Sequence, residues 1–356
     1  MKKILVFNVA AELGGALTIL HDFYNYVTVN TIDIHWYFVV SITGFIETEN
    51  ITILNYPEVK KSWMHRLLFD CFKAKKIVKK IVPDVIFSMQ NVTVPGVDIP
   101  QILYLHQPIP FSSIKFSFRQ SKYHWVYQNL ISKLIYRSIK KADSVIVQTN
   151  WMAKSAALIT GEDRKKFKII PPELPIIDTS KPFDLINARS TFFYPVSFIS
   201  YKNHALIIKA VKILEIKGFQ NFQVLFTGKR NDAESIGLDC SSKCIKIIGK
   251  LSHEEVIELL RKTTLVFPSR LETFGLPLLE ARLCKAFILA GDTPFSHDIL
   301  DDYGNVKFFN VDNSEDLAIK MQDIITNMTK YTEPINTSIN LTSVGWKPVV
   351  DILSGY

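Results

Sequence analysis

The sequence predicts an α/β protein made of two doubly wound parallel-sheet domains, and three observations predict it. Short apolar runs rich in β-branched residues alternate with helical stretches along the first half. The same alternation starts afresh in the second half without repeating the sequence. Between them, Pro171 to Phe183 holds four prolines and neither a helical nor a strand period, which is the composition of a linker. With 356 residues and 47% hydrophobic content, the chain is long enough for two buried cores and too apolar for a mainly disordered one.

In the first half the expected strands are Ile4 to Asn8, Trp36 to Ser41, Ile51 to Leu54, Val85 to Ser88, Ile102 to His106, Ser144 to Gln148 and Phe167 to Ile170. Helices are expected over Gly15 to Val29, Ser62 to Ile81, Lys122 to Lys141 and Asn150 to Leu158. The second series runs strand Thr191 to Pro195, helix His204 to Lys217, strands Gln223 to Thr227 and Ile245 to Ile248, then helix Ser252 to Lys262. It continues with strand Thr264 to Phe267, helix Pro277 to Cys284 and strand Phe287 to Ala290. Ser252 followed three residues later by Glu255 forms a capping box, which marks one helix start firmly. A short last helix is expected near Trp346 to Leu353.

Composition narrows the classes. No apolar run approaches the roughly 18 to 20 residues that cross a bilayer; the best, His35 to Phe45, is interrupted by Ser41, Thr43 and Gly44. Met1-Lys2-Lys3 followed by Ile4 to Ala11 mimics a signal peptide, but Glu12 ends the apolar part early, so a buried first strand is expected. Cys71, Cys240, Cys244 and Cys284 are too few and scattered for a disulfide framework, which fits a reducing cytoplasm. Cys240 and Cys244 lack two further ligands at zinc spacing, and no Asp-x-Asp donor-metal motif occurs; neither metal nor cofactor is expected. Charge is uneven: residues 1 to 180 hold 22 Lys/Arg and 14 Asp/Glu, whereas the remainder holds 20 of each. The excess centres on residues 60 to 141, with 15 basic side chains against Asp70, Asp84 and Asp98. Aromatics accompany the charge on the helices Ser62 to Ile81 and Lys122 to Lys141, which suits an anionic membrane surface. Nucleic acid is not expected, because no recognition motif accompanies the charge.

The most informative stretch is Glu272 to Glu280, E-T-F-G-L-P-L-L-E, directly after Thr264-Leu265-Val266-Phe267-Pro268. The order is strand, polar loop, helix, with Gly275 in the turn and Pro277 where a helix's first residue tolerates it. The N–H groups of Phe274, Gly275 and Leu276 can then converge on one anion at the positive end of the helix dipole. Glu272 and Glu280 bracket that nest; since carboxylates repel phosphate, they suit hydroxyl-bearing groups on either side, a sugar and a ribose. Gly14-Gly15, in the first strand-to-helix loop, permits close backbone approach to a ligand, although G-x-G-x-x-G and Walker motifs are absent.

The stretch Leu265 to Ala281 resembles the E-x7-E signature of retaining glycosyltransferases of family 4, which have the GT-B fold of two Rossmann-like domains facing across a cleft. Weaker resemblances follow the family's order along nearly the whole chain: Gly14-Gly15, Tyr104-Leu105-His106, Ala142 to Val147, Phe167 to Pro171 and Lys202-Asn203-His204. The resemblance implies an acceptor-binding domain over 1–178, a nucleotide-sugar domain over 179–342, and a C-terminal helix, 343–356, returning to the first domain. It implies that His106 lies at the reaction centre and that Glu272 binds hydroxyls of the transferred sugar. Glu280 would bind the ribose, and Lys202 would neutralise the donor diphosphate. Implied too are a nucleotide-diphosphate sugar donor, no metal, and domain closure on binding. The acceptor would be a glycan or polyprenyl-diphosphate-linked oligosaccharide at the inner face of the plasma membrane.

Two departures stand out. The family's phosphate-binding Arg place is held by Ser197, with Lys229 or Arg230 as substitutes, and the common Cys-Gly-x-Pro reads Cys284-Lys285-Ala286-Phe287. The alternatives are a catalytically silent, partner-binding relative and a GT-B-type nucleotide-sugar epimerase. Retention of Lys202, Glu272 and Glu280 argues against the former, and product analysis with donor alone separates the latter.

Overall fold

The computed structural model describes residues 1–11, 15–119, 121–173, 176–327 and 344–356. They form two compact units, one of residues 1–173 with 344–356 and one of residues 176–327. Each is a Rossmann-like domain around a parallel sheet, the architecture the alternation predicts.

In the first unit the strands are β1 (Lys2–Asn8), β2 (Ile34–Val40), β3 (Ile51–Asn55), β4 (Val85–Ser88), β5 (Gln101–Tyr104), β6 (Ser144–Val147) and β7 (Phe167–Ile169), in the order β3-β2-β1-β4-β5-β6-β7. Every pairing is parallel, with Ile4 opposite Val85 and Trp36 opposite Ile51. The winding reverses between β1 and β4, and in such sheets ligands bind beyond the carboxyl ends of the strands at that reversal.

The second unit repeats the plan with β8 (Thr191–Tyr194), β9 (Gln223–Phe226), β10 (Ile245–Ile247), β11 (Thr264–Phe267), β12 (Ile288–Gly291) and β13 (Val306–Phe309). Their order is β10-β9-β8-β11-β12-β13, so the reversal falls between β8 and β11. The sequence reading named nothing between Ala290 and Trp346. The structure adds a helix at Pro294–Leu300, the strand β13 and a helix at Ser314–Asn327.

Both basic helices differ in winding from the expectation. Trp63–Leu68, Phe69–Lys73 and Ala74–Ile81 run on as one helix whose middle five residues are π-wound. Lys122–Val126, Tyr127–Ile131 and Ser132–Lys141 do the same. Wider turns of this kind occur singly inside α-helices, often at functional sites. A two-faced sequence reads alike in either winding, because the apolar face is kept while the register shifts.

The first unit's core is aromatic. Phe23, from the helix Gly15–Asn30, meets Trp36 at 5.5 Å, Phe87 at 5.1 Å and Trp346 at 4.9 Å between ring centroids. Trp346 opens the helix Trp346–Ser354, whose Val349, Val350 and Leu353 join the same core. The Lys2 ammonium donates to the Ser354 carbonyl at 2.7 Å and the Gly345 N–H to that of Pro171 at 3.0 Å. In the second unit the fully buried Arg282 donates to the Ile299 carbonyl at 2.6 Å and to both Asp302 oxygens, at 2.5 and 3.0 Å. The guanidinium holds the Asp302 carboxyl below its ordinary range.

Because Phe23 is fully buried among four aromatic partners, Phe23→Ala is expected to cost about 3–5 kcal/mol. Urea unfolding checks this. A loss of a few tenths would mean that Phe23 is not packed in this core.

Candidate functional site

Strands β8 and β11 are neighbours, and the loops leaving their carboxyl ends carry most of the expected site. After β8 the chain makes a tight turn over Ser200–Lys202, and Asn203, at φ 63°, ends it and opens the helix His204–Ile216. The Asn203 amide donates to the Val311 carbonyl at 2.9 Å, fixing this left-handed corner. Tyr194, buried in β8, donates its hydroxyl to the Lys202 carbonyl at 2.7 Å. The Arg270 N–H donates to the Tyr201 carbonyl at 3.0 Å, joining the two loops. Lys202 thereby meets Glu272, and the two form an ion pair with side chains only 13% and 14% exposed.

Gly275 caps the helix Leu276–Leu283 at φ 91° and ψ 54°. Leu276 is the helix's first residue and Pro277 its second, one place later than the sequence suggested; Gly275 already supplies the turn that releases the strand. Among the described residues, the N–H groups of Phe274, Gly275 and Leu276 donate to no backbone carbonyl. They are available to an anion. The Phe274 ring is buried and Leu276 is partly exposed.

Glu280 lies one turn into this helix and is only 4% exposed. One of its oxygens meets His253 Nε2 at 2.9 Å. Burial pushes its carboxyl above the ordinary glutamate value, and the His253 hydrogen bond and charge oppose that. Sequence reasoning did not single out His253. It is the first residue of the helix His253–Leu260, whose start is fixed by the capping box. There the Glu255 N–H donates to Ser252 Oγ at 3.2 Å and the Ser252 N–H to Glu255 at 2.7 Å. That cap was legible and places the ring; the partner across 27 residues was not.

The remaining expected residues are spread over both units. Gly15 begins the helix Gly15–Asn30 and is exposed, while Gly14 lies outside the described residues, as do the expected domain boundary at 342 and 343. His106 does not end a strand: β5 stops at Tyr104. Pro108 has no N–H to extend the ladder, and the Asn91 side chain accepts the His106 N–H at 2.9 Å in place of a strand neighbour. The imidazole Nδ1 is buried without a hydrogen-bond partner at ordinary geometry. Burial pushes its pKa down to about 4, so the ring is neutral and suits a hydroxyl better than a phosphate. Ser197 is exposed and brings no charge to Lys202. Lys229 and Arg230 are exposed beyond β9, with Arg230 turned to the Cys240 carbonyl at 3.5 Å. Among the described residues, no three His, Cys, Asp or Glu side chains gather in a way that could hold a metal ion.

Residues 178–340 match the family model described as Glycosyl transferases group 1. A relative from Methanocaldococcus jannaschii, "Uncharacterized glycosyltransferase MJ1178", is 28% identical over 133 residues, which span 37% of this chain and 37% of that protein. The chain thus aligns with just over a third of that curated relative's length. Among solved structures, Anabaena Alr3699/HepE in complex with UDP and glucose superposes over 100% of both chains with a TM-score of 0.65 at 16% identity. The lipopolysaccharide outer core galactosyltransferase WaaB, in its apo form, covers 94% of this chain and 92% of its own, with a TM-score of 0.63 at 13% identity. These likenesses show the GT-B fold.

A carboxyl whose folded pKa is raised stabilises the fold at low pH, and that contribution is lost as pH rises through the folded value. Glu280 is therefore expected to titrate above the ordinary glutamate value, and further above it in His253→Ala, where the opposing hydrogen bond is gone. Carbon-detected NMR of the glutamate carboxyls measures both. An unshifted titration in the variant would show that His253 does not hold the charge.

Proposed function

We propose that the chain is a retaining glycosyltransferase of the GT-B class, moving a sugar from a nucleotide-diphosphate sugar to a hydroxyl of a glycan or lipid-linked oligosaccharide in cell-surface polysaccharide synthesis. One observation carries the reading: the Lys202–Glu272 pair, followed in the chain by three N–H groups that donate to no backbone carbonyl among the described residues and then by Glu280. The diphosphate takes the N–H groups and the Lys202 ammonium, the transferred sugar takes Glu272, and the ribose takes Glu280. As the bond from sugar to diphosphate breaks, negative charge grows on the leaving oxygen, and fixed donors aimed at it lower the barrier. Departure and acceptor attack on the same face depend on that stabilisation more than on a protein nucleophile. The neutral His106, in the first unit, suits a hydroxyl of the acceptor.

The acceptor belongs on the basic first unit, and peripheral contact with an anionic membrane at the cytoplasmic face is part of the reading. Met64, Leu67, Leu68 and Phe72 are about half to two-thirds exposed on one helix. A groove of about 400 Å³ lined by Glu58, Leu68, Phe69, Phe72, Lys73 and Lys76 adjoins them; Lys73 is paired with Glu58 there, while Lys79 and Lys80 are exposed farther along. Apolar side chains beside ammonium groups match acyl chains beneath anionic headgroups. No helix among the described residues is long and apolar enough to cross a membrane.

Lys202→Ala and Glu272→Ala are each expected to lower sugar transfer by about 10²–10³-fold, and each also lowers the melting temperature because the remaining charge of a largely buried pair is left unpaired. Screening UDP, GDP and their sugars by thermal shift identifies the donor; full transfer by both variants would refute the assignment. Cosedimentation is expected with phosphatidylglycerol vesicles but not phosphatidylcholine vesicles, weakening with salt and in Leu67→Glu/Phe72→Glu. Equal pelleting with both lipids would remove the charge argument.

A further inference from the structure

We propose that the first unit carries a binding subsite for a neutral hydroxylated ring, built from Arg66, Asp70, Gln90 and Tyr127. It rests on the glycosyl-transfer reading, which it deepens by giving the acceptor sugar a seat.

Three independent observations converge here. The place is one: Gln90 lies two residues beyond β4, which borders the reversal between β1 and β4, where doubly wound sheets bind ligands. The winding is another. Asp70 comes from the π-wound turn Phe69–Lys73 and Tyr127 opens the π-wound turn Tyr127–Ile131, so two rare backbone features on separate helices deliver one side chain each. The third is an unsatisfied group: Gln90 is 5% exposed, and its Oε1 is buried without a hydrogen-bond partner among the described residues. A buried amide oxygen left unpaired is unfavourable and calls for an explanation such as an absent ligand.

The groups are linked. Gln90 Nε2 donates to Asp70 Oδ1 at 3.4 Å, and Arg66 Nε donates to Asp70 Oδ2 at 2.6 Å. Tyr127 lies within electrostatic reach of Arg66, whose charge works against burial and the neighbouring Tyr123. Burial pushes the Tyr127 hydroxyl up to about 12, so it keeps its proton. Burial also raises the Asp70 carboxyl against the pull of Arg66. Arg66 and Asp70 remain 20% and 26% exposed, enough for a ligand to reach them.

The chemistry selects the ligand. A carboxylate, an amide oxygen and a phenol accept from hydroxyls, while a guanidinium and the phenol donate to them. A sugar ring presents both kinds at fixed spacing. An anion would have to displace Asp70 from Arg66 and then face that carboxylate, so phosphate is disfavoured.

Saturation-transfer NMR on the full chain with methyl α-glucoside, methyl α-mannoside, methyl β-galactoside and N-acetylglucosamine tests this, alongside UDP binding by thermal shift. At least one glycoside is expected to bind wild type, with affinity falling by about tenfold or more in Gln90→Leu and in Tyr127→Phe. UDP binding is expected to be unchanged in both variants. Tyr127→Phe keeps the packing, so its loss of binding is not a folding failure. If no glycoside binds wild type, or both variants bind as wild type does, the subsite is wrong. If UDP fails to bind wild type while a glycoside does, the donor reading fails and the subsite stands.

Discussion

The second unit's site depends on one backbone conformation, that of Gly275. At φ 91° it turns the chain from the loop after β11 into a helix, and a Cβ there would sit 3.2 Å from the Leu278 side chain. Glycine meets no such penalty in this region of φ. The turn leaves the Phe274, Gly275 and Leu276 N–H groups without a backbone acceptor among the described residues at a helix start, and it sets Glu272 before them and Glu280 after them in the chain. Everything proposed about a diphosphate and its two hydroxylated neighbours follows from that ordering.

Placement by the sheet makes the ordering useful. Because the winding reverses between β8 and β11, the loop bearing Lys202 and the loop bearing Glu272 leave adjacent strands in the same direction. The Tyr194 hydroxyl and the Arg270 N–H tie those loops at backbone carbonyls, so the ion pair rests on fixed chain and not on two mobile side chains. In the first unit the reversal between β1 and β4 has the corresponding effect for the chain beyond β4.

Much of this was legible because it was local. The strands ending before Lys202 and Glu272 are apolar runs, Gly275 and Pro277 punctuate the helix start, and Ser252 with Glu255 announces a cap realised as expected. What was not legible depends on distance or on winding. His253 meets Glu280 because two helices lie side by side, and no spacing in the sequence records that. The π-wound turns keep the two-faced pattern of an α-helix, so the register shift that presents Asp70 and Tyr127 is silent. The apolar run through Leu105 suggests a strand reaching His106, but β5 ends at Tyr104 and the His106 N–H is taken by the Asn91 side chain, a partner fifteen residues away that no local pattern records.

Lys202 is ion-paired with Glu272, and Glu280 is hydrogen-bonded to His253, and this bears on which ligand enters. Each pair is largely or partly withdrawn from water. A bare phosphate could reach Lys202 only by competing with Glu272, leaving that carboxylate desolvated beside a second anion. Under the proposed function, a sugar joined to a diphosphate would avoid the conflict: the diphosphate would replace Glu272 at the ammonium while the sugar hydroxyls replace the ammonium at Glu272. The exchange conserves hydrogen bonds when both halves are present, and joining them on one molecule lowers the entropic cost of bringing them together. Under the proposed function, the Lys202–Glu272 pairing therefore favours the intact donor over either part alone.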